Sequence, residues 1–86
     1  MARATRVQRM LRLKEPAATM LALHEKTKAY TIEALMGATH FSDDTIRTLT
    51  AGRSVTPQSM VKLAGLLGVE ELSDIAEVTY NEPKSN

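Results

Sequence analysis

The sequence predicts an all-α protein, a compact domain of five to six short helices. Three observations predict it. Apolar residues make up 43% of the 86 residues but aromatics only 3%, so the core must come from Leu, Ile, Val, Met and Ala. That palette favours helices over a β-sandwich. Apolar residues recur at i, i+3, i+4 in most segments, the period of an amphipathic helix. Caps, prolines and glycines punctuate the chain at short intervals, which leaves no helix long enough for an up-down bundle.

The segment 3–14 opens the chain. Val7, Met10 and Leu11 fall at i, i+3, i+4, with Arg3, Arg6, Arg9 and Arg12 between them, as in an amphipathic helix. The alternation of Val7, Leu11 and Leu13 also permits a strand. Pro16 then suits the first position of a second helix, running to about Ala29, with Ala17, Met20, Leu21 and His24 on one side. Thr31 caps a third, short helix whose apolar face is Ile32, Leu35 and Met36. Ser42 caps the next, and Phe41 and Ile46 stand where a hydrophobic staple would place them. Ile46 and Leu49 point inward, and Gly52 supplies a left-handed residue at the end. Thr56-Pro57 starts a helix with Met60, Leu63, Ala64 and Leu67 on one face and Gly68 as its stop. A last helix is expected over 70–78, with Leu72, Ile75 and Ala76 inward, followed by a frayed tail from Thr79 to Asn86.

Composition excludes several classes. There is no cysteine, hence no disulfide framework, which fits a reducing cytoplasm. No apolar run approaches the ~18 residues of a membrane span. The basic N-terminal residues lack the apolar stretch of a signal peptide. The two histidines, His24 and His40, lack metal-ligand spacing, and the five methionines read as core filler. No nucleophile elbow or Gly-rich phosphate loop is present. Neither an enzyme, a cofactor nor a metal is expected.

The net charge of +1 hides an uneven distribution. Residues 1–14 carry Arg3, Arg6, Arg9, Arg12 and Lys14 with no acid, or +5. Residues 70–86 carry Glu70, Glu71, Asp74, Glu77 and Glu82 against Lys84, or 1 − 5 = −4. Two oppositely charged ends suggest two surfaces with different partners, or two solvated faces.

From Thr31 to Arg53 the sequence reads TIEALMGATHFSDDTIRTLTAGR, two short helices joined by a tight turn. With the later MVKLAGLLGV of Met60–Val69, this resembles the helix-turn-helix of the Cro/lambda-repressor family, the XRE type, over about residues 16–78. Ser42, Ile46, Leu49, Gly52 and Arg53 fall at the family's cap, inward, glycine and basic positions. The chain has His40 where the family usually has Gly in the turn, Ile32 where it has Gln, and Ala51 where it has Asn.

The resemblance implies a lambda-repressor-like DNA-binding domain over 16–78, with 1–15 as a basic N-terminal arm or helix and 79–86 as a flexible tail. It implies a sequence-specific transcriptional regulator, a small phage or bacterial repressor of the Cro type in the cytoplasm, associated with the nucleoid. Asp43, Asp44, Arg47 and Thr48 stand at its base-reading positions. Thr31, Ser42, Thr45 and Arg53 stand at phosphate-backbone positions, and Arg3, Arg6 and Arg9 are expected to add backbone contacts from the arm. Asp43 and Asp44 have a plain explanation too, since acids in a first helical turn complement the helix dipole. As base readers they accept from cytosine N4 and are repelled by guanine O6 and N7.

One such module buries too little DNA alone, so a homodimer on a two-fold operator is expected, with half-sites ~34 Å apart. Its surface is expected at Val69, Leu72, Ile75 and Val78, and the acidic C-terminal end is open to a protein partner. The alternative is a protein-interaction module on a helix-turn-helix scaffold, such as an antitoxin. A further alternative is a sequence-independent DNA or RNA binder using the arginine run.

Overall fold

The structure, a computed structural model, describes residues 8–81. Its order is β1 (Gln8–Leu13), α1 (Pro16–Thr27), α2 (Ile32–Thr39), α3 (Asp43–Thr50), α4 (Pro57–Leu67), a single 3-10 turn (Leu72–Asp74) and β2 (Ala76–Asn81). The all-α, five- to six-helix expectation is therefore wrong. Among the described residues the domain has four α-helices and a two-stranded antiparallel sheet, β1 against β2.

Both errors lie at the ends of the described chain. The amphipathic helix expected over 3–14 is, from Gln8 on, a strand. Leu11 and Leu13 are buried while Arg12 between them is exposed, the period of two that a strand requires. The helix expected over 70–78 is one 3-10 turn followed by β2. Val78, Thr79 and Tyr80 suit a pleated surface, and Thr79, expected in a frayed tail, pairs with Met10. The register sets Leu11 opposite Val78, Arg12 opposite Glu77 and Leu13 opposite Ala76. On its other side β1 holds the loop after α3: Leu11 N–H donates to the Val55 carbonyl at 2.9 Å, and Val55 N–H returns a bond at 2.7 Å.

The helices follow their start signals. Pro16 and Pro57 open α1 and α4, and Thr31, Ser42 and Thr56 cap α2, α3 and α4 by accepting from Ala34, Thr45 and Ser59 N–H. In α1 the inward face is Met20 and Leu23, whereas Leu21, expected inside, is 56% exposed. That helix stops at Thr27 because Lys28 turns left-handed at φ 58°. No glycine or asparagine announces this stop. Leu23, Leu35, Ile46, Leu49, Met60 and Leu63 are almost wholly buried and join all four helices in one core. Leu11, Leu13 and Ala76 extend that core to the sheet. Among the described residues no helix is long and apolar enough to cross a membrane.

Candidate nucleic-acid interface

The pair α2–α3 is locked at its turn. Thr39, at the end of α2, is a buried polar residue, 1% exposed. Its hydroxyl donates to the Leu35 carbonyl at 2.7 Å and accepts from Phe41 N–H at 3.1 Å. His40 takes a left-handed conformation at φ 65°, where its N–H reaches the Met36 carbonyl. Phe41 is buried, and Ser42 then caps α3. Four successive residues thus fix the angle between the two helices: a buried hydroxyl, a left-handed residue, an apolar anchor and a cap.

This turn aims α3. Ile46 and Leu49 face the core, so the opposite side of the helix faces solvent. Asp43, Asp44, Arg47 and Ala51 are exposed there, and Thr48 is half-buried beside them. Arg53, exposed, follows the left-handed Gly52, and its N–H donates to the Thr48 carbonyl at 3.0 Å. Asp44, Arg47, Thr48, Ala51 and Arg53 line one shallow depression. Three of the four expected base-reading residues therefore share a surface with Arg53. The fourth, Asp43, holds Arg47: the guanidinium Nε donates to Oδ1 of Asp43 at 2.7 Å.

The expected backbone contacts divide. The Ser42 hydroxyl accepts from Thr45 N–H at 3.1 Å and donates to the Thr45 hydroxyl at 3.0 Å, so its first task is capping. The Thr31 hydroxyl is the cap acceptor of α2 and keeps its proton for another acceptor. Its neighbour Ile32 lines a hollow with Arg47, Thr50 and Ala51, which puts the start of α2 beside the outer face of α3. Arg9 is not brought to this surface. It lines a separate hollow with Leu11, Pro57, Leu72, Ser73, Ala76 and Val78. Its neighbour Met10, on the other face of β1, is the strand residue that reaches α3. Arg3 and Arg6 lie outside the described residues.

Two features escaped the sequence reading. Thr45, Thr48, Ser54, Thr56 and Ser59 gather with Asp44 around one depression, an array of hydroxyls from three segments. Lys62 of α4 reaches back to the turn, with Nζ 3.3 Å from the His40 carbonyl and 5.0 Å from the centre of the Phe41 ring. The run of Ser and Thr from 54 to 59 hinted at the first. The second is a long-range contact with no local signal.

The surface is not a basic patch. Asp43 and Asp44 balance Arg47 and Arg53. Nor do the two charged ends stay apart, because the sheet joins them. Arg12 Nε meets Glu77 Oε2 at 2.7 Å, and Lys14 Nζ donates to the Ser73 carbonyl at 2.6 Å. The four residues expected at a dimer surface are also split. Val69 and Ile75 line a groove against α1 with Ala18 and Ala22, whereas Leu72 and Val78 line the hollow beside Arg9.

His24 has a structural task. Its Nδ1–H donates to the Ala29 carbonyl at 2.7 Å, and its ring stacks on Tyr30 with centroids 6.0 Å apart. Among the described residues no three His, Cys, Asp or Glu side chains gather as a metal site would require.

Comparison with protein families, with curated proteins and with solved structures gives no match.

Proposed function

We propose that the chain is a sequence-specific DNA-binding regulator, a small phage or bacterial repressor of the Cro type that acts as a dimer on a two-fold operator. One observation carries this reading: the locked turn Thr39–Ser42 presents the outer face of α3, with Arg47, Thr48 and Asp44, at a solvent-facing surface. A helix of this length entering a major groove leads with its first turns. Arg47, with Nε engaged by Asp43, keeps both Nη groups for guanine O6 and N7. Asp44 accepts from cytosine N4, and Thr48 reaches either base type. Arg53, the Thr31 hydroxyl and the exposed N–H groups at helix starts take phosphates. Because the face is charge-neutral, these contacts give a modest salt slope.

A second reading draws on that same neutrality. A face that carries as many acids as bases, Asp43 and Asp44 with Arg47 and Arg53, also suits a basic protein surface, as in an antitoxin that meets its toxin by one face. Fluorescence anisotropy separates the two. Labelled DNA from just upstream of the chain's own gene is titrated at two salt concentrations with scrambled duplex as competitor. Binding that resists the competitor supports the regulator. Absence of binding at both salts favours the protein partner.

A further inference from the structure

The geometry points to a specificity site beside Arg47: the hollow formed by Ile32, Thr50 and Ala51 takes the C5-methyl group of a thymine next to the guanine that Arg47 reads. The inference rests on the regulator reading and deepens it, because it names the base step that this surface selects.

The hollow measures about 280 Å³ and is lined by Ile32, Arg47, Thr50 and Ala51. Ile32 opens α2 and packs partly against the core, which leaves part of its side chain at the surface. Ala51 is exposed just past the end of α3 and offers only a methyl group. The Thr50 hydroxyl donates to the Ile46 carbonyl at 2.8 Å, so its methyl is what remains for the hollow. Apolar groups from both helices thus converge on one side of a guanidinium. Neither Ile32 nor Ala51 has a side-chain donor with which to hold a phosphate. They also stand at the two positions where the family that the chain resembles has Gln and Asn. Far apart in sequence, the two departures meet in this one hollow.

The chemistry of the major groove says what such a hollow recognises. Guanine presents two acceptors, O6 and N7, and among the four bases thymine alone presents a methyl group. Asp43 holds Arg47 by Nε and leaves both Nη groups for one guanine. Because Arg47 is also a wall of the hollow, the base beneath the hollow is a neighbour of that guanine, ~3.4 Å along the strand. A thymine there buries its methyl against Ile32 and Ala51. A cytosine brings no methyl, and its N4 donor meets no acceptor on the apolar side chains.

The test compares thymine with uracil, which pairs with adenine in the same way and lacks only the methyl. A duplex is first selected from a randomised pool with the full chain, and the proposal expects thymine beside the guanine of each half-site. Replacing those thymines by uracil, one half-site at a time, is then read by anisotropy. Each replacement raises the dissociation constant about fourfold, equivalent to the ~0.8 kcal/mol of one buried methyl group. Ile32→Ala, its fold checked by thermal unfolding, keeps the guanine and binds the thymine and uracil duplexes equally. The duplex comparison with the parent chain stands without the variant. A consensus with no thymine beside the guanine overturns the inference and leaves the regulator intact. So does equal affinity of the parent chain for the two duplexes, or an Ile32→Ala protein that still separates them. Recovery of no consensus at all overturns the regulator, and this inference with it.

Discussion

Arg47 and Asp43 stand one turn apart on α3, with the guanidinium Nε 2.7 Å from the carboxylate Oδ1 and both side chains more than half exposed. A pair so exposed contributes at most about 0.5 kcal/mol to the fold. Its value lies in orientation. Asp43 lies N-terminal to Arg47 and fixes the guanidinium over the outer face of the helix. Asp43→Asn should leave stability within about 0.5 kcal/mol. In anisotropy titrations the same change should raise affinity for scrambled DNA and narrow the gap to the preferred site. Arg47→Ala should cost about 1–3 kcal/mol at the preferred site alone.

Thr39 and Phe41 form the lock of the turn. Thr39→Val keeps the shape but orphans the buried Phe41 N–H. The expected loss is about 1–3 kcal/mol in urea unfolding, with an unchanged m-value. An unchanged midpoint would show that the hydroxyl is dispensable.

His40 adopts φ 65°, a conformation that disfavours a side chain by about 1–2 kcal/mol. Glycine removes that strain and costs about 0.5–1 kcal/mol in unfolded-state entropy. His40→Gly should therefore stabilise the domain by about 0.5–1 kcal/mol, read as a rise in Tm.

Gly52 and Gly68 are both left-handed, at φ 74° and 76°. They differ in their surroundings. A Cβ on Gly52 would lie 3.0 Å from Pro16 Cγ, whereas one on Gly68 meets nothing within 4 Å. Gly68→Ala should cost about 0.5–1 kcal/mol, the left-handed strain less the unfolded-state entropy that glycine carries. Gly52→Ala should cost more in the same thermal unfolding experiment, because the Pro16 ring must also give way by a few tenths of an ångström. Equal losses would show that Pro16 yields freely.

The interior of the domain was legible because its signals are local. Thr31, Ser42 and Thr56 declare their helices by caps, and Ile46, Leu49, Met60 and Leu63 declare their inward faces by spacing. The ends were not legible, because a strand of six residues declares itself through its partner. Gln8–Leu13 meets Ala76–Asn81 across most of the chain, and no local pattern in either names the other. Leu11 satisfies a helical spacing with Val7 as readily as an alternating one with Leu13, so periodicity alone could not choose. The same long-range pairing brings the basic and acidic ends together at Arg12 and Glu77, which a sum of charges along the chain presents as two surfaces. At the candidate interface the set Asp43, Asp44, Arg47 and Thr48 came from the resemblance to the helix-turn-helix family, and the cap Ser42 with the inward pair Ile46 and Leu49 agrees in turning it outward. The ion pair within it was a matter of i, i+4 spacing. The place of Arg9 depended on which face of a strand it occupies, and that waited on the strand.

Selection of binding sites from a pool of randomised duplexes, with the parent chain and Arg47→Ala in parallel, decides whether α3 reads bases. A base-reading α3 yields a two-fold consensus from the parent chain, with half-sites about one helical turn apart, ~34 Å. Arg47→Ala then loses a guanine from each half-site and keeps the spacing. Recovery of no consensus from the parent chain, or of the same consensus from both proteins, would contradict it.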